Sequence, residues 1–249
     1  MSPAGDAADL AGVLAQMQAR LDALPPSLAS RRHFLSTYRR TTAAVGSAIV
    51  GSLFEDPEWV ERWDVAFAEL YLEAHDADLS GRRPPRPWRL AFSAAPDLPE
   101  LLHVLLGVNA HINYDLPQAL LRVIGVADFA DETLMDRRRR DHERIDRVLA
   151  ERVSAEDDEL PAGSLTDRLL TPLNRLATKR FLREARRKVW HNTYELHAAR
   201  VAGPDAYRRR LAELELLSAA KVADILEPRQ VLLRLATAGF GVTLPPGFE

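Results

Sequence analysis

The sequence predicts an all-α fold, a single-domain multi-helix bundle around a buried central helix at about residues 98–124. Three observations carry that prediction. Apolar residues recur at spacings of three and four along most of the 249 residues, and no stretch of useful length alternates apolar with polar side chains. Start and stop residues such as Asp56-Pro57, Asp131 and Gly203-Pro204 fall where the apolar stripes begin and end. Between Glu100 and Asp128 the only formal charges are Asp115 and Arg122, so most of that segment has to be covered by the others.

Taken in order, residues 7–24 place Leu10, Val13, Leu14, Met17, Leu21 and Leu24 at helical spacing, and Pro25-Pro26 ends the helix. A second helix runs from about Ser30 through Phe34, Tyr38, Thr42, Val45 and Ile49 to Gly51. Asp56 as N-cap and Pro57 at the first helical position start a third, with Trp59, Trp63, Phe67, Leu70 and Tyr71 as an aromatic stripe ending near Asp78. The prolines of GRRPPRP, 81–87, predict an extended loop that feeds Trp88, Leu90 and Phe92 back to the core. In the central helix, Pro117 predicts a bend one turn earlier.

Asp131 starts a further helix around the basic run Arg137 to Arg140, and SAEDDELPAGS, 154–164, reads as a surface loop. Helices are expected at about 165–177 and 179–200, from Pro204 to about Leu226, and from Pro228 to about Ala238, followed by a tail. That makes eight or nine helices: an N-terminal helix and loop at 1–29, a core at 30–200, and C-terminal helices and tail at 201–249.

Composition narrows the function classes. A net charge of −3 gives no reason to expect nucleic acid or an anionic membrane. The absence of cysteine excludes disulfides, thiolate metal sites and Cys nucleophiles, and fits a cytoplasmic protein. The N-terminus carries an acid where a secretory signal needs basic residues. The central stretch is long enough for a membrane span, but its run of Asn, His, Asp, Pro and Gln marks a core helix. With no Gly-rich phosphate loop, no nucleotide cofactor is expected; Gly-x-Ser-x-Gly and His-Glu-x-x-His are missing too.

The candidate site lies in the central segment, where Asn109, His111, Asn113, Tyr114 and Asp115 interrupt the apolar run. At about 100° per residue, Val104, Val108, His111 and Asp115 share one stripe. A buried carboxylate one turn from a buried imidazole is costly unless both are answered. His111 and Asp115 therefore read as an acid/base or metal-binding pair, with Asn109 and Asn113 as donors to a substrate and Tyr71 and Trp63 shaping its cavity. They read equally as a polar network that locks helices together.

The same spacing recurs in His142 with Asp146, on what reads as a solvated face, and in His191 with Glu195. Were the late helix to face the central one, His111, Asp115, His191 and Glu195 would supply two imidazoles and two carboxylates for a divalent metal. His103 reads as a satisfied core histidine and His75 as a helix cap. The acidic run 156–159 reads as solvated, and the leucines of 208–226 could present an apolar face to a partner helix.

The segment GVNAHINYDLPQAL resembles the signature of a bacterial all-helical family of unknown function, DUF5995. The likeness extends to GSLFEDPEWVERWDVAFAELYLEA, to RPPRPW and to the late VWHNTYEL, where it is strongest at Trp190. It implies a helical fold and places Asn109, His111, Asn113 and Asp115 in the family's most distinctive block. It implies no reaction. The expectation is a helical enzyme acting on a small, largely apolar molecule by hydrolysis, isomerisation or cyclisation. The alternative is a non-catalytic ligand- or partner-binding module in which the polar cluster is a lock.

Overall fold

A computed structural model of the chain describes residues 9–159 and 186–226, with the backbone alone at Leu101, Asp146 and 149–159. The described residues are all-helical and contain no strand. The expected helices over 165–177 and 228–238, and the tail, lie outside the described residues.

Helix α1 (Leu10–Ala23) begins at Asp9, whose carboxylate accepts from Gly12 N at 2.6 Å, and buries Leu10, Val13, Met17 and Leu21. It packs on α2 (Arg31–Val50) and α3 (Pro57–Leu79). Arg20 reaches across to Asp76 with two parallel hydrogen bonds of 2.8 and 2.5 Å. At the start of α3, Asp56 accepts from Trp59 N and Pro57 takes the first turn, as the sequence predicts. Trp59, Trp63, Phe67 and Tyr71 then face inward down one side. Val60, Asp64, Ala68, Leu72 and His75 are buried as well, so α3 is covered on more than one face.

The proline-led segment departs from expectation. Only 82–85 is extended; α4 (Arg86–Phe92) starts inside it. Pro87 sits in the first turn, where a missing N–H costs nothing, and Glu215 accepts from Arg86 N at 2.7 Å. That turn inserts Trp88 into the core with no exposure.

The central helix is one rod in three parts: α5 (Glu100–Ala110), a π-helical turn (His111–Asp115), and α6 (Leu116–Val123). Pro117 accounts for the wide turn. In a regular helix its ring would press on the carbonyl of Asn113 and its nitrogen could donate nothing; here Leu116 N–H bonds instead to His111 O. The expected bend is thus an inserted residue in the helical ladder. At Gly107, α5 crosses α2 so closely that a Cβ would overlap the Phe34 ring.

Asp131 caps α7 (Glu132–Glu159) by accepting from Leu134 N at 2.9 Å. Because α7 runs to Glu159, residues 154–159 and the acidic run are helical, not the loop expected there. Buried Asp141 on α7 accepts from the amides of Glu55 and Asp56 at 2.7 and 2.8 Å, fixing the segment that leads into α3. Arg138 adds an ion pair to Asp56. Helix α8 (186–202) is followed by Gly203 and by α9 (Pro204–Leu226), which packs on α4 and α5. Leu214, Ser218, Ala219 and Val222 face inward from α9, while Leu216 and Leu217 stay exposed. Among the described residues no helix is long and apolar enough to cross a membrane.

Candidate functional site

His111 and Asp115 meet. Nδ1 of the imidazole lies 2.8 Å from Asp115 Oδ2, and the two residues are 3% and 1% exposed. Oδ2 also accepts from Trp88 Nε1 at 2.8 Å, so α4 and the central helix converge on one oxygen. The imidazole is caged by rings. Phe67 stacks on it at 3.5 Å and 4°, Tyr38 stands edge-on at 4.5 Å, and Phe34, Trp88 and Tyr71 surround it at about 6 Å.

Burial sets the protonation. It pushes Asp115 well above the usual carboxylate range, with the Trp88 N–H pulling the other way. It pushes His111 well below the usual imidazole range. The pair is therefore held without net charge, sharing a proton between Oδ2 and Nδ1. In that state Nε2 carries the imidazole's other hydrogen. That nitrogen is buried and has no partner.

A second carboxylate stands nearby. Asp64 on α3 is 3% exposed, Oδ2 has no partner, and burial pushes its carboxyl up to about 7. Burial raises the Tyr38 phenol well above its usual range, Asp64 and Asp115 add to that, and the Thr42 hydroxyl beside it pulls the other way. These unsatisfied groups around the imidazole are the kind of buried polar atoms that ask for an explanation.

The other sequence-predicted residues divide. Tyr71 is 1% exposed and lines a small cavity between α2, α4 and α5, which it shares with Phe34, Trp88 and Gly107. Trp63 is buried against Trp59, Phe67 and His142 and does not line that cavity. Asn109 and Asn113 turn their amides back on their own helix, donating to Leu105 O and Asn109 O at 2.9 Å. Each thereby commits one N–H of its amide to the helix.

The four-ligand metal set does not assemble. His191 and Glu195 are exposed on α8, and Glu195 lies 3.9 Å from Arg210, whereas His111 and Asp115 are sealed in the core. Among the described residues no group of three or more His, Cys, Asp or Glu is arranged to hold a metal ion. The helix-facing geometry that the model of four ligands required is absent.

The remaining histidines also differ from expectation. His142 is buried, not solvated; its Nδ1 accepts from Trp190 Nε1 at 3.1 Å, and burial lowers it to about 3. The side chain of Asp146, its supposed partner, lies outside the described residues. His75 is fully buried beside Tyr71 and Phe92 and caps nothing, and His103 is buried with Nε2 unmatched.

Sequence reading missed Asp64, Tyr38 and Trp88 as members of the site. Asp64 had a signal, a lone acid beside Trp63 on an aromatic helix. Tyr38 and Trp88 looked like ordinary core.

The chain belongs to DUF5995, a family of unknown function, whose model matches residues 10–228. No curated protein and no solved structure matches it.

Proposed function

We propose that the protein is a small-molecule enzyme in which His111 moves a proton and Asp115 positions it. The observation that supports this best is the asymmetry of the imidazole: Nδ1 is tied to a carboxylate while Nε2 is buried and unmatched. The carboxyl on one nitrogen fixes the tautomer and leaves Nε2–H as the working acid, which gives its proton to the substrate as the proton shared with Asp115 passes to Nδ1. The π-helical turn carrying both residues is a feature frequent at functional sites. The substrate is small and largely apolar, because the surrounding walls are aromatic. It enters through the cavity that shares Phe34, Tyr71 and Trp88 with the imidazole cage. Hydrolysis, isomerisation and cyclisation are the reactions such a proton carrier serves. The absence of cysteine fits a cytoplasmic setting.

A second reading has its own support. Phe67 stacked on the imidazole and Trp88 bonded to Asp115 are what a structural lock between α3, α4 and the central helix requires. Two variants separate the readings, His111→Gln and Asp115→Leu. The enzyme reading expects His111→Gln, which keeps a donor for Asp115, to fold with near-normal stability. It should also lose the turnover that small apolar esters, ketones or alkenes give the wild type, while keeping the thermal shifts they cause. The lock expects both variants to lose about 1–3 kcal/mol, with no ligand distinguishing them from wild type.

A further inference from the structure

The cavity beside the imidazole cage has a volume of about 20 Å³, room for one water-sized group. Its walls are the rings of Phe34, Tyr71, Trp88 and Phe92, and two nitrogen-bearing side chains reach it, Arg31 and His103. The Arg31 side chain is 10% exposed and spends one nitrogen on Asp78, Nη2 to Oδ2 at 2.5 Å. Its Nε and Nη1 are buried without hydrogen-bond partners, and the guanidinium lies over the Phe92 ring at 4.6 Å. His103 is 7% exposed, and its Nε2 is likewise unmatched. Two side chains that line one aromatic cavity, from different helices, thus carry three buried nitrogens without hydrogen-bond partners. Arg31 is also the first residue of the 20-residue α2, whose dipole favours negative charge at that end.

We propose that this cavity takes the carboxylate head of a small organic acid. The carboxylate oxygens accept from the free Arg31 N–H groups, and one of them shares a proton with His103 Nε2. The apolar remainder projects out of the cavity past the half-buried Phe92, which stacks on Trp88 with centroids 5.3 Å apart. A carboxylate fits better than a phosphate. Asp78 already neutralises part of the one guanidinium, and a planar monoanion needs less room and less charge than a tetrahedral dianion. The inference rests on the reading that this cavity receives the small molecule, and not on proton transfer at His111.

The test is thermal unfolding and calorimetry of the full chain with sodium benzoate, phenylacetate and acetate. Benzamide serves as the uncharged control, and sodium chloride holds ionic strength constant. The expected result is an unfolding temperature that rises with carboxylate concentration, more for the aromatic acids than for acetate, and clearly less with benzamide than with benzoate. Arg31→Gln should weaken benzoate binding about tenfold or more. Should that variant fail to fold for want of the Asp78 pair, His103→Leu leaves the pair intact and should weaken binding in the same direction.

His111→Gln should bind benzoate as wild type does. Equal shifts with benzamide, no shift with any carboxylate, or unchanged affinity in His103→Leu would overturn the proposal. The two proposals fail differently. Neutral apolar ligands that bind while carboxylates do not would sink only the carboxylate head. Carboxylate binding in a protein whose His111→Gln variant matches wild type in every assay would sink only the proton transfer.

Discussion

At His111 one ring answers two demands: Nδ1 satisfies a buried carboxylate, and Nε2 satisfies nothing. Asp64 makes the same point with a carboxylate alone. Its folded-state carboxyl is raised from 3.8 to about 7, so the folded protein holds a proton that the unfolded chain gives up. The sign follows: the stability that neutral Asp64 allows is fully present below about pH 4 and is lost as pH rises through about 7. At 1.36 kcal/mol per pH unit the loss approaches about 4 kcal/mol.

Asp64→Asn removes that dependence. Urea unfolding at pH 5 and pH 8 should show the variant gaining on wild type as pH rises; a constant difference would mean Asp64 is already ionised in the fold. Trp88→Phe tests the other donor. Loss of the Nε1–H to Asp115 should cost about 1–3 kcal/mol in equilibrium unfolding, and no cost would place that hydrogen bond outside the energetics of the site.

At the scale of the element, the sequence made the break at Pro117 legible but not its form. A proline interrupts the hydrogen-bond ladder, and whether the chain kinks or inserts a residue depends on what packs around it. Here α3 and α9 pack on the turn, rings from α2 close on His111, and widening the turn keeps both His111 and Asp115 inside. The start of α4 is hidden in the sequence for a related reason: three prolines argue against helix until one of them occupies a first turn, where it is welcome. Gly107 is the contact that lets α5 lie against α2. Gly107→Ala should cost about 1–3 kcal/mol, read by chemical denaturation, because the Phe34 ring has to move. A neutral result would show that α2 yields at that crossing.

For the whole molecule, the helical class, the buried central segment and the meeting of His111 with Asp115 were all legible, since each depends on residues within a few turns of one another. The partners were not. Tyr38, Asp64 and Trp88 come from α2, α3 and α4, and no periodicity tells which rings will close around an imidazole. The metal set failed on the same ground, because His191 and Glu195 had the right spacing on a helix that turns them to solvent.

What unites these observations is a net-neutral His–Asp pair, sealed among rings, with one nitrogen unclaimed. A long-range proton–nitrogen NMR titration of the His111 ring tests that directly. The account predicts a hydrogen on Nε2 and no titration between about pH 5 and 8. A ring that titrates near 6.5, as an accessible imidazole does, would contradict it.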